Sequence, residues 1–313
     1  MFKKFNILFS TFLVLSILLI GCTSSSSETE DKIDIVTTFY PLYDFAKKIG
    51  GEYVNVQNLV PTGVEPHDWT PKTRDMIKIT EADMFIYNGL GFENWIENFF
   101  SSFEANLSIE LVEASLGAHL LDDENDLEEE VREGDEHDHG LNDPHIWLSP
   151  VQAKTLAENI KQGLINIDPK HKDEYEERFL ELSARLDELH VKYKDVLENV
   201  SKKEFVVSHQ AFGYLAYEYG LTQKSIMGLS SDAEPTIQDY KNISVYIKEN
   251  NIQYILFEEL ASPKLTDTLA KELNIKTLVL NPLEGLTKEQ ASNGEDYFTI
   301  MESNLTSLKK ALQ

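Results

Sequence analysis

The apolar residues Tyr175, Phe179, Leu182, Leu186, Leu189, Tyr193 and Val196 follow one another at alternating steps of four and three without a break. That period places them on one face of a single long helix. Over about 30 residues, at 1.5 Å each, such a helix is roughly 45 Å long. A rod with one continuous apolar stripe needs cover along its whole length. A coiled-coil dimer supplies it, and so does a spine inside one chain that packs against material at both ends. The stripe lies between two stretches that alternate short apolar runs with helical ones, which favours the spine and hence a monomer. His190 falls off the stripe and is expected at the surface.

Before the spine, residues 33–38, 53–60, 83–88 and 109–113 read as strands, and residues 42–49, 73–82 and 93–103 as helices. After it, residues 204–208, 223–227, 254–257 and 276–280 read as strands. Helices at 211–219, 236–249, 263–273 and 297–312 alternate with them or close the chain. Strands and helices alternating at this interval indicate βαβ units and largely parallel sheets. The halves also echo each other, V-T-T-F-Y-P-L-Y-D-F-A-K-K-I-G beside V-S-H-Q-A-F-G-Y-L-A-Y-E-Y-G, and A-D-M-F-I-Y-N-G beside I-Q-Y-I-L-F-E-E. The expected fold is α/β, with two β/α lobes, each around a mostly parallel sheet, joined by one long rigid helix. The N-terminal lobe is expected over 32–167, the linking helix over 168–200 and the C-terminal lobe over 201–313.

A chain of 313 residues, 42% of them hydrophobic, has material for two ordinary cores. Its 54 acidic residues outnumber 28 basic ones, a formal charge of −26 that argues against nucleic acid or an anionic membrane surface as partner. At the N-terminus, Lys3 and Lys4 precede an uncharged apolar run over 5–20, the layout of a secretory signal and too short for a comfortable membrane span. The run ends in Leu19-Ile20-Gly21-Cys22, which resembles a bacterial lipobox, and Cys22 is the only cysteine. Residues 1–21 are therefore expected to be a signal peptide, with Cys22 the lipid attachment point of an anchor facing outside the cytoplasm. Residues 22–31 form a Ser-rich flexible tether. Removing Lys3 and Lys4 takes the charge from −26 to −28. With one cysteine there is no internal disulfide, so stability must come from packing.

Within the first lobe, residues 121–140 are strongly acidic and too poor in apolar groups to fold alone. They read as a mobile loop in which His137 and His139 are candidates for weak metal binding. Immediately beyond, N-D-P-H-I-W-L-S-P sets His145 between Asp143 and Trp147. Ile146–Leu148 reads as a strand fragment, and Ser149-Pro150 as an N-cap followed by proline at the first helical position. His67 sits in P-T-G-V-E-P-H-D-W-T-P, a loop whose prolines forbid regular structure. His209 ends the first strand of the second half, and Glu284 follows the last strand in N-P-L-E-G-L. In open α/β sheets ligands gather beyond the carboxyl ends of strands. Three imidazoles and one carboxylate from such positions, two in each lobe, complete a four-coordinate shell that suits Zn²⁺; a manganese site carries more oxygen ligands. Glu258 and Asp232 are placed to orient the rings.

Together T-T-F-Y-P-L-Y-D, V-E-P-H-D-W-T-P, the acidic histidine-bearing loop, D-P-H-I-W-L-S-P, S-H-Q-A-F-G-Y and N-P-L-E-G-L span nearly the whole chain beyond the signal. In them the chain resembles the zinc-specific cluster A-I (cluster 9) metal-binding lipoproteins of bacterial ABC importers. That resemblance implies two β/α lobes about a rigid helix, and metal-ligand roles for His67, His145, His209 and Glu284. It also implies capture of Zn²⁺ for delivery to an ABC transporter permease. Manganese-type relatives tend to have glutamate at the place of His209 and aspartate at that of Glu284. The loop is poorer in histidine than in many zinc importers. A secreted zinc hydrolase is the reading from another class, but H-E-x-x-H is absent and Glu65 is the only carboxylate close to His67 in sequence. A manganese- or iron-type solute-binding protein of the same family is the alternative within the class, and a surface adhesin is a further one.

Overall fold

The computed structural model describes residues 32–102, 108–121, 142–229, 235–262 and 264–313. Cys22, His137, His139 and Asp232, and with them the expected signal, tether and most of the acidic loop, lie outside the described residues.

The first half runs β1 (Ile33–Thr37), α1 (Tyr40–Gly50), β2 (Val54–Asn58), α2 (Thr73–Glu81), β3 (Met84–Tyr87), α3 (Ile96–Ser101) and β4 (Glu110–Glu113). Its four strands form a sheet in the order β2-β1-β3-β4, every pair parallel. Helix α4 (Pro150–Ile167) and the spine, α5 (Lys172–Glu198), follow. The second half runs β5 (Glu204–Val207), α6 (Gly213–Glu218), β6 (Thr222–Ser225), α7 (Ile237–Glu249), β7 (Tyr254–Phe257), α8 (Lys264–Leu273), β8 (Lys276–Val279), α9 (Lys288–Asn293) and α10 (Tyr297–Leu312). Its sheet has the order β6-β5-β7-β8, again all parallel, so the two lobes repeat one topology.

The helix boundaries follow local chemistry. Ser149 Oγ accepts the amide hydrogen of Gln152, and Pro150 opens α4, where its missing N–H costs nothing. Asp168 ends that helix and accepts the Tyr175 hydroxyl at 2.7 Å, which ties the start of α5 to the end of α4. At 27 residues α5 is about 40 Å long.

Along α5 the stripe is buried at Tyr175, Leu182, Leu186, Leu189, Tyr193 and Leu197, with Phe179 and Val196 partly buried beside them. It packs on α1 and α4 of the first lobe and on α10 of the second. Tyr193 donates its hydroxyl to the Met301 carbonyl at 2.6 Å, anchoring the far end. One continuous apolar cluster includes Phe45 and Trp147 from the first half, Leu186 from the spine, and Phe212 and Tyr297 from the second. Smaller clusters lie under the outer layers, Phe85 with Phe99 in one lobe and Val206 with Ile255 in the other. Because the lobes share a core through the spine, wide hinge opening would expose apolar surface at about 25 cal/mol per Å².

The structure corrects several expectations. Ile146–Leu148 is a 3₁₀ turn, fully buried, and not a strand. The helix expected from residue 93 begins only at Ile96. Glu93 turns inward instead, where its carboxylate accepts the Thr38 hydroxyl at 2.6 Å and the amides of Asn88 and Gly89 at 2.8 and 3.1 Å. Residues 51–53 form a 3₁₀ turn ahead of β2. Helix α9, capped by Thr287 with Gln290 returning the bond, was not anticipated. His190, expected at the surface, is half-buried, with Nδ1 3.3 Å from the Tyr219 hydroxyl.

Candidate metal centre

Four loops leave the carboxyl ends of β2, β4, β5 and β8 and carry His67, His145, His209 and Glu284 toward one point. Each offers one donor atom, and the four atoms lie within 4.8 Å of one another. Glu284 Oε1 is 3.5 Å from His67 Nε2, 3.2 Å from His145 Nε2 and 3.3 Å from His209 Nε2. His145 and His209 face each other Nε2 to Nε2 at 3.4 Å. Charge-assisted hydrogen bonds are shorter, about 2.7–2.9 Å. The edge of a tetrahedron whose centre stands 2.0–2.1 Å from each corner is about 3.3–3.4 Å, and these four spacings lie within about 0.2 Å of it. His145, His209 and Glu284 are at most 1% exposed, while the His67 side chain is 10% exposed and marks the side open to solvent.

The rings are held so that Nε2 points inward. His145 donates from Nδ1 to Asp143 Oδ1 at 2.7 Å, and its own amide donates to the same oxygen at 2.9 Å. His209 Nδ1 stands 2.7 Å from Glu258 Oε2, and the other oxygen of Glu258 accepts the Ser208 hydroxyl and, at 3.2 Å, the His209 amide. A proton kept on Nδ1 leaves the Nε2 lone pair free for an ion. Phe92 packs edge-on against His67 at 5.1 Å between ring centres, and Glu93 fixes the turn that delivers it.

Backbone supports complete the placement. Asn88 donates from Nδ2 to the Pro144 carbonyl at 3.0 Å, and Trp147 donates its indole N–H to the Pro282 carbonyl at 2.7 Å. Leu283, just before Glu284, is buried with a left-handed φ of 60°, a conformation that costs a branched residue on the order of 1–3 kcal/mol. Asn281 Oδ1 accepts the Leu283 amide at 2.7 Å and is itself held by Asn304, so the strain is locked in place.

Burial alone disfavours every charge here, but the partners reverse it. For His145, the Asp143 hydrogen bond and Glu284 outweigh burial and raise the ring above its ordinary value. For His209, Glu258 and Glu284 outweigh burial and hold it well above. Glu284 is driven well below the usual carboxylate range because the three imidazoles overcome complete burial. Glu65, two residues before His67, goes the other way: burial, with Glu284 and Glu258 nearby, pushes its carboxyl up to about 10. The centre therefore presents one ionised carboxylate among three rings, a donor set for a divalent cation of borderline softness.

Sequence reasoning put Glu258 beside the centre, and the structure sets it against His209. It passed over Asp143 as an orienting group, although the residue stands two positions before His145; only the intervening turn shows that its carboxylate folds back. It also passed over Asn281 and Asn304, whose pairing joins a loop to a helix 23 positions away. Among the described residues, the carboxylates adjacent to the rings face the rings or their amides: Glu65 Oε1 accepts the His67 amide at 3.4 Å, Asp143 holds His145 and Glu258 stands against His209.

The profile of the family described as ZnuA, zinc-uptake complex component A, periplasmic, matches residues 35–311. The chain is 42% identical over 316 aligned positions to the high-affinity zinc uptake system protein ZnuA of Bacillus subtilis, an alignment covering all of this chain and 99% of that protein. It is 39% identical to the zinc-binding lipoprotein AdcA of Streptococcus pneumoniae over 98% of this chain, and spans 61% of that longer protein. The crystal structure of the Zn(II)-bound ZnuA-like domain of Streptococcus pneumoniae AdcA superposes with a TM-score of 0.76 at 39% identity, covering 90% of this chain and 99% of that one.

Proposed function

The chain belongs to the zinc-uptake component A family, and from that premise we propose that it captures Zn²⁺ outside the cytoplasm and hands it to an ABC permease, with His67, His145, His209 and Glu284 as the ligands. The observation that carries this reading is the convergence of three imidazoles and one carboxylate, each from a different strand end, on one point, with donor atoms within 4.8 Å of one another and Glu284 Oε1 3.2–3.5 Å from all three Nε2 atoms. Zinc is cargo here and not a catalyst. Four protein ligands close the shell, leaving no site for an activated water. One carboxylate among three imidazoles also leaves too few oxygen donors for manganese to be the preferred ion.

The same reading places the protein at the membrane through a lipid on Cys22, supported by the signal-like N-terminus, and takes it to act as a monomer, supported by a spine covered within its own chain. The lobes at 32–167 and 201–313 about a link at 168–200 belong to it as well, supported by the repeated sheet order. Elemental analysis of protein purified from medium containing zinc and manganese tests the proposal. One equivalent of zinc per chain is expected; a chain that takes up manganese instead, or no metal, contradicts it.

Affinity should depend on pH in a defined direction. A ring that carries a proton on Nε2 cannot bind, so loading zinc must release protons. His145 and His209 are held above the ordinary imidazole value in the metal-free protein, so zinc affinity should already be falling as pH drops toward about 6.5. Below both values, log Kd should rise by up to about two per pH unit. Competition titrations between pH 5 and 8 check this; a flat profile is the contrary result. Deleting residues 122–139 removes none of the four donors and should leave the tight site within about threefold of its original affinity, removing only weak extra binding. Loss of tight binding in that deletion would move the site into the loop.

A further inference from the structure

We propose that Gly213, in the C-terminal lobe, is a positioning residue for zinc capture: its missing side chain is what allows Asp143, in the N-terminal lobe, to hold His145. The proposal rests on the ligand assignment above and deepens it. Asp143 is fixed through one oxygen, Oδ1, which accepts both the amide and the Nδ1–H of His145 at 2.9 and 2.7 Å. Its backbone carbonyl accepts the Tyr214 hydroxyl at 3.0 Å, so the first turn of α6 sits directly against this segment. The second oxygen, Oδ2, points at Gly213. A Cβ placed there would stand 2.5 Å from Oδ2, with Leu121 Cδ1 at 3.4 Å on another side.

A carboxylate is rigid and planar, so Oδ2 cannot retreat without turning Oδ1. Turning Oδ1 breaks its geometry with both donors of His145 at once, and these bonds set the ring's tautomer and aim. The glycine is not explained by the backbone, because Gly213 is absent from the positive-φ residues and its conformation is open to alanine. As the first residue of a helix it is a place where alanine would stabilise the fold, by restricting the unfolded chain, once the Asp143 carboxylate is out of the way. A purely structural role predicts the same loss whether or not Asp143 is present, whereas a positioning role predicts that the loss vanishes when Asp143 is removed.

The test is a double-mutant cycle on the full protein, using Gly213→Ala, Asp143→Ala and both together. Zinc affinity is read by competition with a chromophoric chelator, and the melting temperature is taken on zinc-free protein. Gly213→Ala is expected to weaken zinc binding about 10-fold or more, within the range for losing a group that orients a ligand. In the Asp143→Ala background, where the added Cβ meets no carboxylate, the same substitution should cost less than about twofold in affinity and leave the melting temperature unchanged or higher. Equal losses in both backgrounds would show that Gly213 acts by some route other than Asp143 and would overturn the proposal. Unchanged affinity in Gly213→Ala, with a clear loss in Asp143→Ala, would overturn it while leaving the ligand assignment standing. If Asp143→Ala and His145→Ala also bind zinc normally, the ligand assignment falls with it.

Discussion

Replacing His145 with alanine is expected to weaken zinc binding by about a hundred- to a thousand-fold and to leave the fold in place. The magnitude follows from sharing the roughly 10–16 kcal/mol of a four-ligand zinc site among its ligands, so that one carries about 2.5–4 kcal/mol. His145 is the sharpest choice because its ring is fully buried, its Nδ1 is committed to Asp143, and its Nε2 is close to both His209 and Glu284. The turn that carries it does not depend on the ring: Ile146, Trp147 and Leu148 are all buried, and Asn88 holds the Pro144 carbonyl. Titration of the variant against the original chain, with circular dichroism on both, separates binding from folding. Unchanged affinity in a folded variant would remove His145 from the ligand set.

The second large effect concerns stability and lies two residues away. Trp147→Ala should destabilise the zinc-free protein by about 3–5 kcal/mol, the usual range for deleting a buried large aromatic. Its ring is completely buried, packs edge-on against Phe39 and Phe92 at 4.6 and 5.2 Å, and lies 5.2 Å from the His145 ring. Its indole N–H reaches across to the Pro282 carbonyl, and its own carbonyl accepts the Tyr297 hydroxyl, both at 2.7 Å. One side chain thus packs the N-terminal core and joins it to the loop that carries Glu284. For a chain of this size the loss corresponds to a fall in melting temperature of about 5–8 °C. Thermal and urea unfolding measure it, and a change below about 1 kcal/mol would mean that the inter-lobe seam is held elsewhere.

How far the sequence alone reached depended on whether the signal was periodic. The stripe from Tyr175 to Val196 repeats over six turns, and only one helix satisfies it; the structure buries that face along the spine. The Ser149-Pro150 start was equally plain because a cap acts through its immediate neighbours. Ile146–Leu148 reads as a strand fragment because three apolar residues carry no period; in the structure all three are buried in a single 3₁₀ turn. Glu93 looked like part of a helix, but a buried carboxylate that collects two amides and a hydroxyl outweighs local propensity. The four donors could be picked out because strand ends are where an α/β sheet places ligands. Their supports were harder to see. Asp143 needed the path of a turn, and Asn281 with Asn304 needed a contact between a loop and a distant helix. Gly213 carries no side chain to announce itself, and its part emerges only from what a Cβ would strike.

The central claim is that four groups, far apart in the chain, close around a single zinc ion. A crystal structure of the zinc-loaded protein, with the metal located by anomalous scattering at the zinc edge, tests it most directly. The account predicts one strong peak about 2.0–2.2 Å from Nε2 of His67, His145 and His209 and from a carboxylate oxygen of Glu284, with no water in the shell. A peak elsewhere, or one at this place with any of the four more than about 3 Å away, would contradict it.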